Sequence, residues 1–269
     1  MKFKRIFLMI VEGLGVGEAS DALTYGDNGV NTLNNVLKDN DVVLPNLSKL
    51  GFLNTLNMND NDKVTGYYTI ARPNNYGKDD LSNYYELFGV ANLNEFKDFS
   101  KFQTFPVDLI ENLEQITNYR IIGNRILKDK NEIINELGER HLNYGSLILY
   151  STTNSTIEIS AHEDIIPISK LFDYAEKIKK FTEKDSRYAV SRVIARSFTG
   201  FTKGEFKFTD EKTFISNIPH CYTEEIVKQN KEVISIGKFH DFFSKEAVSK
   251  VIKSASNNIN TINKLIDII

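Results

Sequence analysis

The sequence predicts an α/β protein: a mostly parallel sheet with flanking helices, interrupted by a smaller inserted α+β unit. Three observations predict it. KRIFLMIVEGLGVGE (residues 4–18) opens with a continuous apolar run, as a strand buried on both faces would, and ends in an acid and a glycine-rich turn. Strand-like runs then alternate with helix-like ones along the chain. Residues 97–219 carry an αββαβ order of their own, which marks them as an insertion or a second domain.

Taken in order, residues 6–11 read as the first strand. DALTYGDNGVNTLNNVL (21–37) reads as a loop and then a helix capped by Asn31 or Thr32. LPNLSKLG (44–51) is a short helix ended by glycine, and NMNDNDK (57–63) a polar loop. VTGYYTIA (64–71) is strand-like, rich in β-branched and aromatic residues. GKDDLSNYYELFG (77–89) starts a helix with two adjacent carboxylates. Val107 to Thr117 has the periodicity of an amphipathic helix, RIIGN (120–124) of a short strand, and 132–145 of a helix closed by Gly145. Residues 146–163 supply two strands about a Ser/Thr/Asn turn, 168–184 a helix and 188–201 a strand. KEVISIGKFHDFF (231–243) repeats the strand–turn–helix opening, and 247–269 reads as one final amphipathic helix.

A chain of 269 residues can bury a sizeable core, and its net charge of −3 advertises neither a nucleic-acid nor an anionic-membrane partner. The basic clusters at 2–5 and 177–180 have acids nearby and read as solvated faces. Cys221 is the sole cysteine, so no intrachain disulfide forms, which suits a reducing compartment. The apolar run before Glu12 is too short for a signal-peptide core or a membrane span, so a cytoplasmic protein is expected.

Glu12, at the carboxyl end of the expected first strand, stands where open α/β sheets place ligands; a solvent-facing acid is the plainer reading. GLGVG is not the dinucleotide fingerprint, and the acids flanking it oppose a pyrophosphate. The histidines, His141, His162, His220 and His240, show no metal-ligand spacing. Arg192 and Arg196, four apart on a strand, share a face and suit a phosphate or carboxylate clamp, or else a solvated basic stripe. Lys238, just after a strand and a glycine, could add a third cation. Asp79 and Asp80 fit ligands, general bases or an ordinary acidic first turn.

In series, residues 1–33 and the segments LPNLSKLG, GKDDLSNYYELFG, RIIGN, EIINELGERHLNYG, LILYSTTNSTIEISAHEDIIP, SRVIARSFTG and VISIGKFHDFF resemble, in order, phosphopentomutases of the alkaline phosphatase superfamily. The resemblance runs through most of the chain. It implies a partial alkaline-phosphatase-like core, residues 1–96 and 220–269, split by a cap at 97–219. That family of isomerases converts ribose 1-phosphate or deoxyribose 1-phosphate into the 5-phosphate with two divalent cations, usually manganese, and a phosphorylated threonine. Carried over, Glu12 stands at a metal-binding aspartate, and Asp80 at the catalytic, phosphorylated threonine of a GKDTMTGHWE-like motif. Asn154 stands at a cap aspartate near the sugar, and Arg192 and Lys238 at positions that contact the pentose phosphate.

Two departures matter. An aspartate replaces the threonine hydroxyl, and SNYYE replaces the TGHWE-like continuation. The family also runs on beyond the point matched by Ile269, with the remaining Asp and His ligands there. Mn2+ or Mg2+ is therefore implied by the family, but most of its ligands are missing, and no cofactor is firmly expected. The expectation is a pseudoenzyme that keeps a site for a pentose phosphate or nucleotide. Alternatives are half of a split mutase completed by another chain, and a scaffold protein. A second copy or a partner chain would cover the truncated sheet edge.

Overall fold

The computed structural model describes residues 3–39, 41–56, 63–90, 96–215, 220–253 and 257–269. The chain divides into two compact units, Met1–Asn74 and Asn75–Ile269. The first contains helices α1 (Ala22–Tyr25), α2 (Thr32–Asp39) and α3 (Pro45–Lys49) and a 3-10 turn at Phe52–Leu56. Asn31 caps α2 as its residue type suggests, its Oδ1 accepting from the Asn34 N–H at 3.1 Å. Pro45 opens α3 at a position where its missing N–H costs nothing.

The two strands expected in this unit do not form. Residues 6–11 and 64–71 lie outside any ladder, and their apolar side chains are open, Ile6 being 83% exposed. Apolar and β-branched composition gives only a preference; a strand exists through hydrogen bonds to a neighbour, and no strand lies among the described residues of this unit. Most of the polar loop expected at 57–63, residues 57–62, lies outside the described residues.

The second unit begins with α4 (Asp80–Leu87) and α5 (Val107–Thr117). Next come β1 (Ile121–Ile126), α6 (Lys130–Tyr144), β2 (Leu147–Ser151), β3 (Thr156–His162), α7 (Ile168–Lys184), β4 (Arg192–Thr199) and β5 (Lys207–Ile215). It ends with α8 (Tyr222–Lys228), β6 (Ile234–Ile236), α9 (Phe239–Phe242), β7 (Lys250–Ile252) and α10 (Asn258–Ile266). The single final helix expected over 247–269 is thus replaced by β7, paired in parallel with β6, and by α10.

The larger sheet has the order β1-β2-β3-β4-β5. It is mixed: β1–β2 and β3–β4 are parallel, β2–β3 and β4–β5 antiparallel. Each parallel pair is joined by a crossover helix. Both crossovers step the same way across the sheet, but strand direction reverses between β2 and β3. Right-handed crossovers then require α6 and α7 to cover opposite faces, and they do. Leu147, Leu149, Ile157, Ile159, Ala161, Val193 and Ala195 pack on α5 and α7. Ile122, Ile148, Tyr150 and Phe198 pack on the α6 residues Ile133, Ile134 and Leu137. The period-2 alternation of β2 decides which residue goes where.

Two irregularities make that packing fit. In β1 the register shifts between Gly123 and Arg125, and Gly123 has φ 97 with its α-carbon against the Leu149 carbonyl, where a side chain would collide. Pairing of β4 with β5 shifts between Arg196 and Phe198, so that Phe208 joins the α6 side while Phe214 joins the α7 side.

The α7 stripe Leu171, Tyr174, Ala175, Ile178 has helical spacing, and Lys179 falls within it. This corrects the solvated reading of residues 177–180. Lys179 is buried, and its ammonium donates to the Val190 carbonyl at 2.7 Å. Burial lowers its pKa to about 8. Among the described residues, no helix is long and apolar enough to cross a membrane.

The fold also brings together two histidines that the sequence leaves apart. The backbone N–H of His162 donates to Nε2 of His141 at 2.8 Å, and Nδ1 of His141 meets the Ser146 carbonyl. A carbonyl only accepts and an amide N–H only donates, so His141 must carry its proton on Nδ1 and remain neutral. Burial is the first cause of its lowered pKa, and His162 adds to it. A histidine whose folded pKa is depressed supports the fold above its unfolded pKa of about 6.5 and ceases to do so as pH falls below it. The free energy of unfolding measured in urea should therefore drop between pH 7 and pH 5, by at most about 1.4 kcal/mol per pH unit from this group. In His141→Gln the slope in that window should flatten; an unchanged slope would refute the assignment.

Candidate functional site

The site is built on the start of α4. Asp79 is the N-cap: its carboxylate accepts from the Ser82 N–H at 2.9 Å and from the Ser82 hydroxyl at 2.8 Å. It is buried, and burial raises its pKa above the ordinary aspartate value against the pull of those hydrogen bonds. The neighbouring charge of Asp80 raises it further, whereas Arg192 lowers it. The paired carboxylates are thus divided in role, Asp79 closing the helix end and Asp80 entering its first turn.

Asp80 points away from the cap and pairs with Nη2 of Arg192, 112 residues later at the first position of β4. The guanidinium carbon of Arg192 lies 5.8 Å from the Phe242 ring centroid. Its Nε is buried with no acceptor among the described residues, as is the Tyr85 hydroxyl. Burial raises the Tyr85 pKa, with Asp79 adding to the rise and Arg192 opposing it, so this phenol faces the same charges.

An aromatic cluster fixes α4 against α9. Tyr84 meets Phe242 at 4.8 Å, Phe88 meets Phe239 at 4.5 Å, and Tyr85 meets Phe243 edge-on at 5.5 Å. Lys238 is the exposed N-cap residue of α9, following Gly237 with φ 88, and Phe242 of the same helix lies beneath Arg192. Asn154 lies in the β2–β3 turn. That turn is tied to the start of β4, because the Ser155 carbonyl accepts from both the N–H and the hydroxyl of Ser191 at 2.8 Å.

The structure therefore gathers Asp80, Arg192, the turn bearing Asn154 and the helix headed by Lys238. Arg196 shares the β4 face of Arg192, but its guanidinium is already taken. Glu158 binds Nη1, Glu211 binds Nε, and the Tyr150 hydroxyl lies 3.1 Å from Nη1. Burial works against its charge, and Tyr150 and Glu158 outweigh burial, leaving its pKa raised. Tyr150 in turn is pushed up to about 12, chiefly by burial.

Glu12 belongs to the other unit, where it is exposed at the entry to the glycine turn. That unit has its own cleft, lined by the turn at 15–19, Asn31 and residues 70–73. Among the described residues, no group of three His, Cys, Asp or Glu side chains stands close enough to hold a cation.

Sequence reading missed Tyr85, Phe242, Glu158 and Glu211. Only Glu158 carried a signal, an acid at an alternate position of an otherwise apolar-and-small strand. Compared with models of known protein families, the chain matches none.

Removing Glu158 would leave Arg196 with only the part-exposed Glu211 carboxylate and the Tyr150 hydroxyl. Glu158→Gln is therefore expected to cost about 1–3 kcal/mol in urea unfolding, the scale for a buried donor left short of a partner, and adding Arg196→Met should recover much of it. A loss below about 1 kcal/mol, the range of surface pairs, would show that this network is solvated.

Proposed function

We propose that the chain is a phosphopentomutase-like protein that binds a phosphorylated pentose, free or within a nucleotide, and does not turn it over. The observation that carries this reading is Asp80. It occupies the position that the resemblance assigns to a phosphorylated threonine, and its carboxylate is engaged by Arg192. A threonine hydroxyl is neutral and becomes nucleophilic when deprotonated. A carboxylate brings a fixed negative charge to the place where a phosphoryl group would arrive. Forming an acyl phosphate there would require Asp80 to leave Arg192 and accept a dianion beside Asp79.

Binding needs less than turnover. Arg192 offers a planar fork for two oxygens, backed by Phe242, and Lys238, which the resemblance assigns to the pentose phosphate, heads the helix that carries Phe242. The turn bearing Asn154 is tied to the start of β4, next to Arg192, and suits hydroxyl recognition. Arg196 serves the strand rather than the ligand, because its donors are spent on Glu158, Glu211 and Tyr150.

A second reading has its own observation. Ile6, Phe7, Leu8, Met9 and Val11 are all more than half exposed, as are Tyr67 and Ile70 of the same unit. Such a run suits a site completed by another polypeptide, whether as half of a split mutase or as a docking scaffold, or else a second copy of this chain.

Calorimetric titration with ribose 5-phosphate and AMP, with and without manganese, tests the first reading. Saturable binding is expected, at least about tenfold weaker in Arg192→Ala, the scale for losing a charge-assisted contact. Conversion of ribose 1-phosphate by the pure chain would overturn the pseudoenzyme, and absence of any binding would overturn the ligand. Light scattering showing a monomer at all concentrations would count against self-association.

A further inference from the structure

The guanidinium of arginine presents Nε–H and one Nη2–H side by side, an edge that two oxygens of a carboxylate or phosphate span together. In this chain only half of that edge is used. Asp80 Oδ1 accepts from Nη2, while the adjacent Nε–H is buried and has no acceptor among the described residues. An N–H buried without a partner is costly, so the pairing as it stands is incomplete. The Tyr85 hydroxyl, also buried and without a partner among the described residues, faces the charges of Asp79 and Arg192.

Asp80 is held differently from its neighbour. Two hydrogen bonds from Ser82 anchor Asp79, whereas the Asp80 side chain is 44% exposed and Arg192 only 18%. A half-exposed side chain on the first helical turn can rotate to solvent without disturbing the cap or the aromatic cluster beneath it.

We propose that Asp80 is an internal anion that occupies Arg192 and competes with the ligand, so that a phosphate monoester binds only by displacing it. The inference rests on the phosphate-binding reading above and adds regulation to it. A phosphate can place one oxygen on Nη2 and another on Nε, which the side chain of Asp80 does not do. The internal carboxylate keeps the fork from binding weaker anions, and it lowers apparent affinity by the fraction of time Arg192 is occupied. Because the latch is tied at the start of α4, loading the site frees a carboxylate at that helix end.

The test is titration of the full-length chain with inorganic phosphate and with ribose 5-phosphate. It compares the wild type with Asp80→Asn, Asp80→Thr, Asp80→Asn/Arg192→Ala and, as a control of equal charge change on the opposite face of the sheet, Asp173→Asn. Urea unfolding of each variant identifies any that fail to fold, and the two substitutions at Asp80 back each other up. The latch predicts that both Asp80 variants bind about tenfold tighter or more, that Asp173→Asn does not, and that the gain vanishes when Arg192 is removed. Equal affinity in wild type and Asp80 variants would overturn the latch and leave the binding reading intact. A gain that survives loss of Arg192, or that Asp173→Asn reproduces, would overturn it as a general charge effect. No binding by any variant up to millimolar ligand would overturn both.

Discussion

The second unit depends on the strand β4, paired along its length with β3 on one side and β5 on the other. Its alternation sends Val193 and Ala195 into the core under α7 and sends Arg192 and Arg196 to the other face. Slipping this strand by one residue would put two guanidiniums among the leucines and isoleucines of α5 and α7 and turn the valine and alanine outward. The apolar face therefore fixes the register, and the register fixes where the charges lie. The α6 face accommodates them because β3 presents Glu158 and β2 presents Tyr150 to Arg196, while Asp80 pairs with Arg192.

Around that strand the remaining parts are attached by different physics. The crossover helices bury aliphatic side chains, each worth about 1.5–3 kcal/mol when fully removed from water. The start of α4 and the short α9 are joined by ring contacts among Tyr84, Tyr85, Phe88, Phe239, Phe242 and Phe243. Aromatic side chains suit this role because one ring buries much area and restricts the angle of its neighbour. Through that cluster, short elements with few backbone hydrogen bonds between them hold Asp80 and Phe242 at Arg192.

Where the sequence was legible, the signal was local and complete. Val107 to Thr117 and residues 168–184 carry their own helical stripe, Gly145 ends α6 in the left-handed conformation, and Asn31 caps α2. Strands β2 and β3, in which every residue is buried, are runs of apolar and small residues about a Ser/Thr/Asn turn. The failures are places where the deciding partner lies far along the chain. Residues 6–11 look like a strand, but no ladder receives them. KFTDEKTFI, which forms β5, received no element in the sequence reading, because an edge strand keeps charges outward and only its neighbour makes it a strand. Lys179 looked solvated until the Val190 carbonyl was brought to its ammonium. In the candidate site, the shared face of Arg192 and Arg196 was readable from spacing, whereas the occupants of each guanidinium were not.

That difference between two arginines separates structure from function at this site. Both face the same side of one strand, four residues apart, and composition cannot tell them apart. Arg196 lies in the middle of β4, walled by β3 and β5, where an unpaired charge would be prohibitive; three protein groups therefore surround it, and no ligand can enter without breaking them. Arg192 lies at the end of the strand, where the sheet stops and the α4 terminus begins. There, among the described residues, the Nε–H has no acceptor, and the ion-pair partner is a side chain partly open to water. On the binding reading, a cation held by one part-exposed anion is the one suited to recognition. The position on the strand, rather than the residue type, makes Arg192 the candidate and Arg196 the scaffold.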